Sequence, residues 1–296
     1  MKNAIIYYYN INPSNIHQTK KEISFQNNNM IYNLVLTNIS LEKIQEKYEI
    51  SRFLNNLRVP VHQIIANKNG TLITRINEKN YVLLLIYINS NEKLMIKDLL
   101  KINTIKIGNG EKNNWYNLWT KKVDYFEYQL ENIERKYPII REISNYYIGL
   151  SENAIALLNN VNYYSNCVCH VRVSNETSLK EFYNPLNLII DSRVRDISEF
   201  IKNSFFNLNL TNDEIILILK IYIKKNNLTV DECILFLSRM IYPTYYFDMY
   251  EKIIQNQLEE KAILKIVNKA NEYEKLLKQI NLYLKLNINF PEIEWL

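Results

Sequence analysis

The sequence predicts a two-lobed α+β chain: a small β-rich lobe with one helix, then a larger, mainly helical lobe. Apolar, β-branched and aromatic runs of strand length crowd the first third, foremost MIYNLVLTN (30–38) and NYVLLLIYIN (80–89). A polar connection, SNEK through GNGEKNN (90–114), separates that region from the rest. Beyond it apolar residues recur at helical spacing, and two Thr-x-x-Glu capping boxes, Thr211 to Glu214 and Thr229 to Glu232, announce helix starts.

Each element has its own justification. LEKIQEKYEISRFLNNL (41–57) sets Leu41, Ile44, Tyr48, Phe53, Leu54 and Leu57 near helical spacing, and Pro60 follows its end. Between VHQIIAN and TLITRIN stands Lys68-Asn69-Gly70, a hairpin-turn signal in which glycine supplies the positive φ. The lobes divide as residues 1–89 and 90–296, with a hinge around 89–113 that brackets a short helix-like MIKDLLK. The first capping box leads into IILILKIYI, apolar nearly all round and therefore expected at the centre of the core. The second leads into CILFLSRMIY. A last long helix carries Ile263, Ile266, Val267, Ala270, Tyr273, Leu276, Leu277, Ile280 and Leu284 on one stripe, the pattern of a packed outer helix.

Composition narrows the function classes. At 296 residues, 47% hydrophobic and 23% charged, the chain has ample core for one large domain or two lobes. A net charge of +5 is spread over scattered Lys and Arg, so no nucleic-acid-binding arm is expected. Heavy use of Asn, Ile, Lys and Tyr is the signature of an AT-rich genome, and no adhesive function is read into it. Three cysteines are too few for a secreted disulfide framework. The apolar start MKNAIIYYYNINPSN is too short for a signal peptide and lacks a small-residue cleavage site. No stretch approaches the ~18 to 20 apolar residues of a membrane span, so a cytoplasmic chain is expected. Only four glycines are present, and a phosphate-wrapping Gly-rich loop needs residues without a Cβ.

The stretch CVCHVRVSNETSLKEFYNPLNLIIDSRVRDISEFIK (167–202) has the order of a phosphotransferase site: a His, a short loop, an apolar strand, an Asp, and an Arg-Asp entering a helix. It resembles the catalytic region of aminoglycoside/choline-kinase-like phosphotransferases. More narrowly it is similar to the kinase-like spore-coat-associated proteins of endospore-forming bacteria, the YutH and CotS type. NWYNLWTKKVDYFE (114–127), YYIGLSENAIALLN (146–159) and LSRMIYPTYYFDMYEKI (237–253) support the narrower match, in the same order along the chain. The resemblance implies a two-lobed protein-kinase-like fold.

Active members of the wider group carry His-Gly-Asp in the catalytic loop, with Asn five residues after the Asp. Here His170 matches the His, while Val171 and Arg172 replace Gly-Asp; Thr177 stands at the Asn spacing, with Asn175 close by. A guanidinium, with a pKa above ~12, cannot act as a general base. By the same resemblance Asp191 matches the metal-binding Asp, and Asp196, beside Arg195, matches a scaffold position at the start of the next helix. No Lys stands in MIYNLVLTN where the group places its phosphate-contacting one, which leaves Glu42, Glu46 and Glu49 without the usual partner. The expectation is a catalytically degenerate, pseudokinase-like protein with a binding or scaffold role. Its expected partners are a protein, a spore-coat protein by resemblance, or an anionic small molecule in the inter-lobe cleft. The alternative is an atypical small-molecule or protein phosphotransferase, and only that alternative calls for ATP and Mg.

Simpler roles compete at each residue. Asp191 can hydrogen-bond loop backbone or pair with Arg172, Arg193 or Arg195, since one carboxylate is a poor magnesium site without substrate phosphates. Arg172 can hold an anion or brace the loop. Cys167 and Cys169, at strand spacing, share one side with His170 opposite, and read as buried thiols because no second Cys/His cluster completes a zinc site. His17 and His62 are isolated. The run from Tyr242 through Pro243 to Phe247 reads as packing around a helix start, and Trp115 and Trp119 share one helix face.

Overall fold

The computed structural model describes residues 1–111, 113–133, 136–208, 210–288 and 290. Lys112, inside the stretch read as a hinge, lies outside the described residues. The chain begins with α1 (Lys2–Tyr9), β1 (Ser14–Gln18), β2 (Glu22–Asn27), β3 (Met30–Leu36), α2 (Leu41–Asn56), β4 (Gln63–Ile65), β5 (Thr74–Ile76) and β6 (Lys79–Ile86). It continues through α3 (Ile96–Asn103), β7 (Lys106–Glu111), α4 (Asn113–Ile133), α5 (Pro138–Leu157), β8 (Tyr163–His170), α6 (Leu179–Phe182) and β9 (Leu188–Ser192). The remainder is helical: α7 (Val194–Leu208), α8 (Asn212–Asn226), α9 (Val230–Ile241), α10 (Thr244–Ile254), α11 (Leu264–Val267) and α12 (Ala270–Asn287). Two compact units form, Met1–Met95 with His170–Ile189, and Ile96–Cys169 with Ile190–Leu296.

In the first unit the antiparallel sheet runs in the order β1-β2-β3-β6-β4, and β5 also pairs with β6. The two long runs expected as strands are β3 and β6, in register from Ile31 opposite Ile86 to Leu36 opposite Tyr81. The unbroken apolar character of β6 follows from burial on both faces. Leu83 joins Ile5, Ile23, Phe25, Tyr32, Leu34 and Ile76 on one side. Val82, Leu84 and Ile86 join Ile44, Ile64 and Leu72 on the other. A helix is therefore needed on each side. The single helix expected in this region is α2; α1, which brings Ile5, is the second.

Two local expectations are corrected. The Lys68-Asn69-Gly70 turn forms, closed by Asn67 N–H to Thr71 O at 2.9 Å with Gly70 at φ +78°. It does not join a hairpin, because β4 and β5 both pair with β6 rather than with each other. In α2 the stripe shifts: Ile44, Lys47, Ile50, Ser51 and Leu54 are buried, whereas Leu41, Phe53 and Leu57 are exposed. Lys47 hides its stem and donates to Leu188 O at 2.7 Å. Burial lowers its pKa.

His62, isolated in the sequence, is buried between two backbone groups. Its Nε2 meets Lys180 O at 2.9 Å, and its Nδ1 accepts Tyr87 N–H at 3.3 Å. That pattern requires a neutral ring, and burial holds its pKa down to about 4, the Lys180 carbonyl acting the other way. The folded value lies below the unfolded ~6.5, so this stability is complete above pH ~6.5. It is lost as pH falls toward the folded value, at about 1.4 kcal/mol per pH unit. The urea midpoint is expected to drop between pH 7 and pH 5, and the drop is expected to flatten in His62→Gln. Parallel pH profiles would contradict this.

In the second unit α9 is the central helix: every residue from Glu232 to Ile241 is buried, and it packs against α5, α7 and α12. The helix expected at the centre, α8, instead packs one face, Ile215, Leu219 and Tyr222, and leaves Leu217 58% exposed. Both capping boxes form, Thr211 with Glu214 and Thr229 with Glu232. The last apolar stripe buries Ile263, Ile266, Tyr273, Leu276, Leu277, Ile280 and Leu284, but over a 3-10 turn, α11 and α12 rather than one helix. A small sheet has the strand order β7-β8-β9. Gly110 opposes Tyr164 there, and a Cβ at Gly110 would collide with the tyrosine ring.

Candidate functional site

Asp191 lies near the end of β9, three residues before α7 begins, with its side chain nine-tenths buried. Four donors face its carboxylate, all from the second unit. Its Oδ1 accepts Ser192 N–H at 2.6 Å and the Trp115 indole N–H at 3.1 Å. Its Oδ2 accepts Arg195 Nη1–H at 2.7 Å, and Arg239 Nη2 stands 3.7 Å away. Trp115 packs against both cations, with the Arg239 guanidinium 3.7 Å and that of Arg195 5.4 Å from its ring centre. Trp119 supports the group from one turn along α4, 4.4 Å from the Tyr242 ring in a parallel stack.

Each guanidinium senses burial and the carboxylate in different balance. Burial works against the charge of Arg195, yet Asp191 beside it outweighs that and holds the pKa up. For Arg239 burial prevails and the pKa is lowered, with Asp191 opposing. Below this cluster, Asp196 is fully buried and accepts from Asn103 Nδ2 at 3.2 Å. Lys202, whose pKa burial lowers, donates to Arg239 O at 3.0 Å and pairs with Glu199 at 3.1 Å. Cys167 and Cys169 share one side of β8 with their sulfurs 3.5 Å apart, and the Cys169 thiol donates to Ser192 O at 3.3 Å. Burial pushes the Cys169 thiol far above its ordinary pKa, so it stays protonated.

The residues that the resemblance matches to a catalytic loop belong to the first unit. His170 is buried, stacked on Phe182 with ring centres 4.4 Å apart, and its Nε2 meets Phe182 O at 2.9 Å. Val171 N–H donates to Asn187 O at 2.8 Å, and Thr177 Oγ1 accepts Ser174 N–H at 3.0 Å, which folds the loop on itself. Arg172 is exposed. Glu42, Glu46 and Glu49 are exposed on α2, and Glu49 stands 3.8 Å from Arg52. His17 is exposed on β1.

Of the three arginines the sequence offers Asp191, Arg195 pairs with it, four residues along the chain. Arg193 is turned elsewhere, its Nε donating to Glu232 Oε1 at 2.7 Å. Arg239 and the indole of Trp115 were not foreseen as partners of Asp191. A signal for Arg239 was present: a lone cation inside the apolar run CILFLSRMIY must find a buried acceptor or leave the core. A magnesium ion needs near-octahedral oxygen ligands. The Asp191 carboxylate is surrounded by N–H donors and two cations instead, and no group of three His, Cys, Asp or Glu is placed to hold a metal among the described residues. The set present does not fit that ion.

Comparison with known proteins agrees with this geometry at the level of fold. The family model described as "Spore coat putative kinase YutH" matches residues 2–280. The endospore coat-associated protein YutH of Bacillus subtilis (strain 168) is 25% identical over 309 residues, covering 92% of this chain and 91% of the relative. Among solved structures, an aminoglycoside phosphotransferase from Alicyclobacillus acidocaldarius superposes with a TM-score of 0.71 at 9% identity, over 96% of each chain. The AMP-bound spectinomycin phosphotransferase gives 0.61 at 13% identity, covering 94% of this chain and 96% of the other. The fold is thus that of the aminoglycoside phosphotransferases, α+β and kinase-like. Among the described residues no helix is long and apolar enough to cross a membrane.

Proposed function

The chain belongs to the spore-coat YutH family, and from that premise we propose that it is a phosphotransferase-shaped protein that performs no phosphoryl transfer. Its role in this reading is to bind: a cytoplasmic protein that associates with the spore coat and presents its surface to a coat protein. The observation that supports silence is the state of Asp191, whose carboxylate is taken up by Trp115, Arg195 and the Ser192 N–H, with Arg239 beside it. Two cations at that position oppose a divalent ion, and Arg172 in the loop cannot take a proton from a substrate hydroxyl. General-base catalysis is worth roughly 10²–10⁴ in rate, and metal clamping adds to that. Loss of both leaves little of the reaction.

Thermal unfolding with ATP, with and without magnesium, tests the reading. A ligand held only by the native state stabilises it by about 2.7 kcal/mol at a hundredfold excess over its Kd. The expected result is that magnesium adds nothing to any shift that ATP produces. A magnesium-dependent shift that Asp191→Ala abolishes would establish a working metal site and sink the proposal in favour of an ATP- and Mg-dependent phosphotransferase.

A further inference from the structure

Of the two arginines that crowd Asp191, Arg239 has donors left without an acceptor among the described residues. Arg239 is 5% exposed, and its Nε–H and Nη2–H groups have no hydrogen-bond acceptor among the described residues. Stacking on Trp115 occupies the face of the guanidinium and leaves its donor edge unsatisfied. A buried charged donor without an acceptor is costly enough that native structures seldom keep one, and each such case asks for a ligand or a water. Arg195 places a second guanidinium on the same carboxylate and is 20% exposed, so solvent reaches the cluster from its side. The other charges nearby are engaged: Asp196 accepts from Asn103, and Lys202 pairs with Glu199.

We propose that Arg195 and Arg239 form an oxyanion site that takes a phosphate group without a divalent cation. The planar fork of Arg239 offers Nε–H and Nη2–H in parallel, a geometry that suits two oxygens of one phosphate. Arg195 supplies the second positive charge from the open side. Asp191 holds both guanidiniums in place and, being negative, works against the incoming anion. Magnesium works against binding as well, since it chelates phosphates in solution and is repelled by both arginines. The proposal rests on the reading of Asp191 as an arginine partner rather than a metal ligand. The phosphate can come from an inorganic ion or from a nucleotide.

Calorimetric titration of the full chain with inorganic pyrophosphate and with ADP, each in EDTA and in magnesium, tests it. Binding of both probes in EDTA is expected, weakened by magnesium. Arg239→Lys keeps the charge but lacks the fork, and Arg195→Gln changes a partly exposed side chain that the fold tolerates more readily. Each is expected to weaken binding roughly tenfold or more, whereas Asp191→Asn is expected to strengthen it. Binding of ADP alone, unchanged by the arginine substitutions, would overturn the proposal by placing the nucleotide elsewhere. No binding under either condition would overturn it too, and would leave the catalytically silent reading standing. Magnesium-dependent binding lost in Asp191→Asn would overturn both.

Discussion

Replacing Glu232 by Gln is expected to lower the unfolding free energy by about 3–5 kcal/mol, the usual cost of removing one partner of a buried ion pair. Glu232 and Arg193 are both fully buried and in direct contact. Arg193 also donates to Asn226 O at 2.6 Å and Asn227 O at 3.2 Å, which ties the C-terminal end of α8 to the start of α7. Glu232 in turn accepts Ser165 N–H from β8 at 2.9 Å and closes the capping box of α9 through Thr229 N–H at 2.9 Å. One carboxylate thus joins four elements, and an amide in its place leaves the Arg193 charge buried without an opposite.

The pH dependence follows from the same contacts. Burial pushes the Glu232 carboxyl up, but Arg193 and the two backbone donors together bring it below the ordinary value. A carboxyl with a depressed folded pKa contributes stability above its unfolded value, ~4.3, and loses it as pH falls through the folded one. Urea denaturation at pH 7 and pH 4 would show the wild-type chain losing ground on acidification and Glu232→Gln losing less. Glu214→Gln is the control, since Glu214 closes a capping box of the same form on an exposed surface. Equal losses for the two substitutions would mean that the pair with Arg193 contributes nothing beyond the cap.

The second large effect concerns which helix is the core. Phe236→Ala on α9 is expected to cost about 3–5 kcal/mol, since the ring is fully buried and a cavity remains. Leu217→Ala on α8 is expected to stay within about 0.5 kcal/mol, because that side chain is mostly in water already. Chemical denaturation of the two variants side by side decides the matter. A cost at Leu217 matching that at Phe236 would restore α8 to the centre. From hydrophobicity alone the opposite order looks right, since IILILKIYI is the more uniformly apolar run.

That reversal marks the boundary between local and tertiary information. The strands β3 and β6, the helix α2, the two capping boxes and the turn at Gly70 were legible because each depends on contacts a few residues apart. The two-lobed fold class was legible for the same reason, through the change of period from strand-like to helical. The pairing of both β4 and β5 with β6 was not, because a short strand takes whichever neighbour tertiary packing presents. Nor was the burial of β6 on both faces assignable before α1 was known to cover one of them.

The site divides along the same line. His170, Asp191, Arg195 and Asp196 stood out by their order and spacing, and Arg195 is within reach of Asp191 because only three residues, leading from β9 into α7, separate them. By itself the sequence determined that a guanidinium, Arg172, stands two residues after His170 and that Asp191 has arginines for neighbours. Only the tertiary structure decided which of them it meets. Arg193 was claimed by Glu232, and Asp191 received Arg239 and Trp115 from helices 48 and 76 residues away in the chain. Buried charges must find opposite partners, and the packing of α4, α7 and α9 determines which ones are in reach.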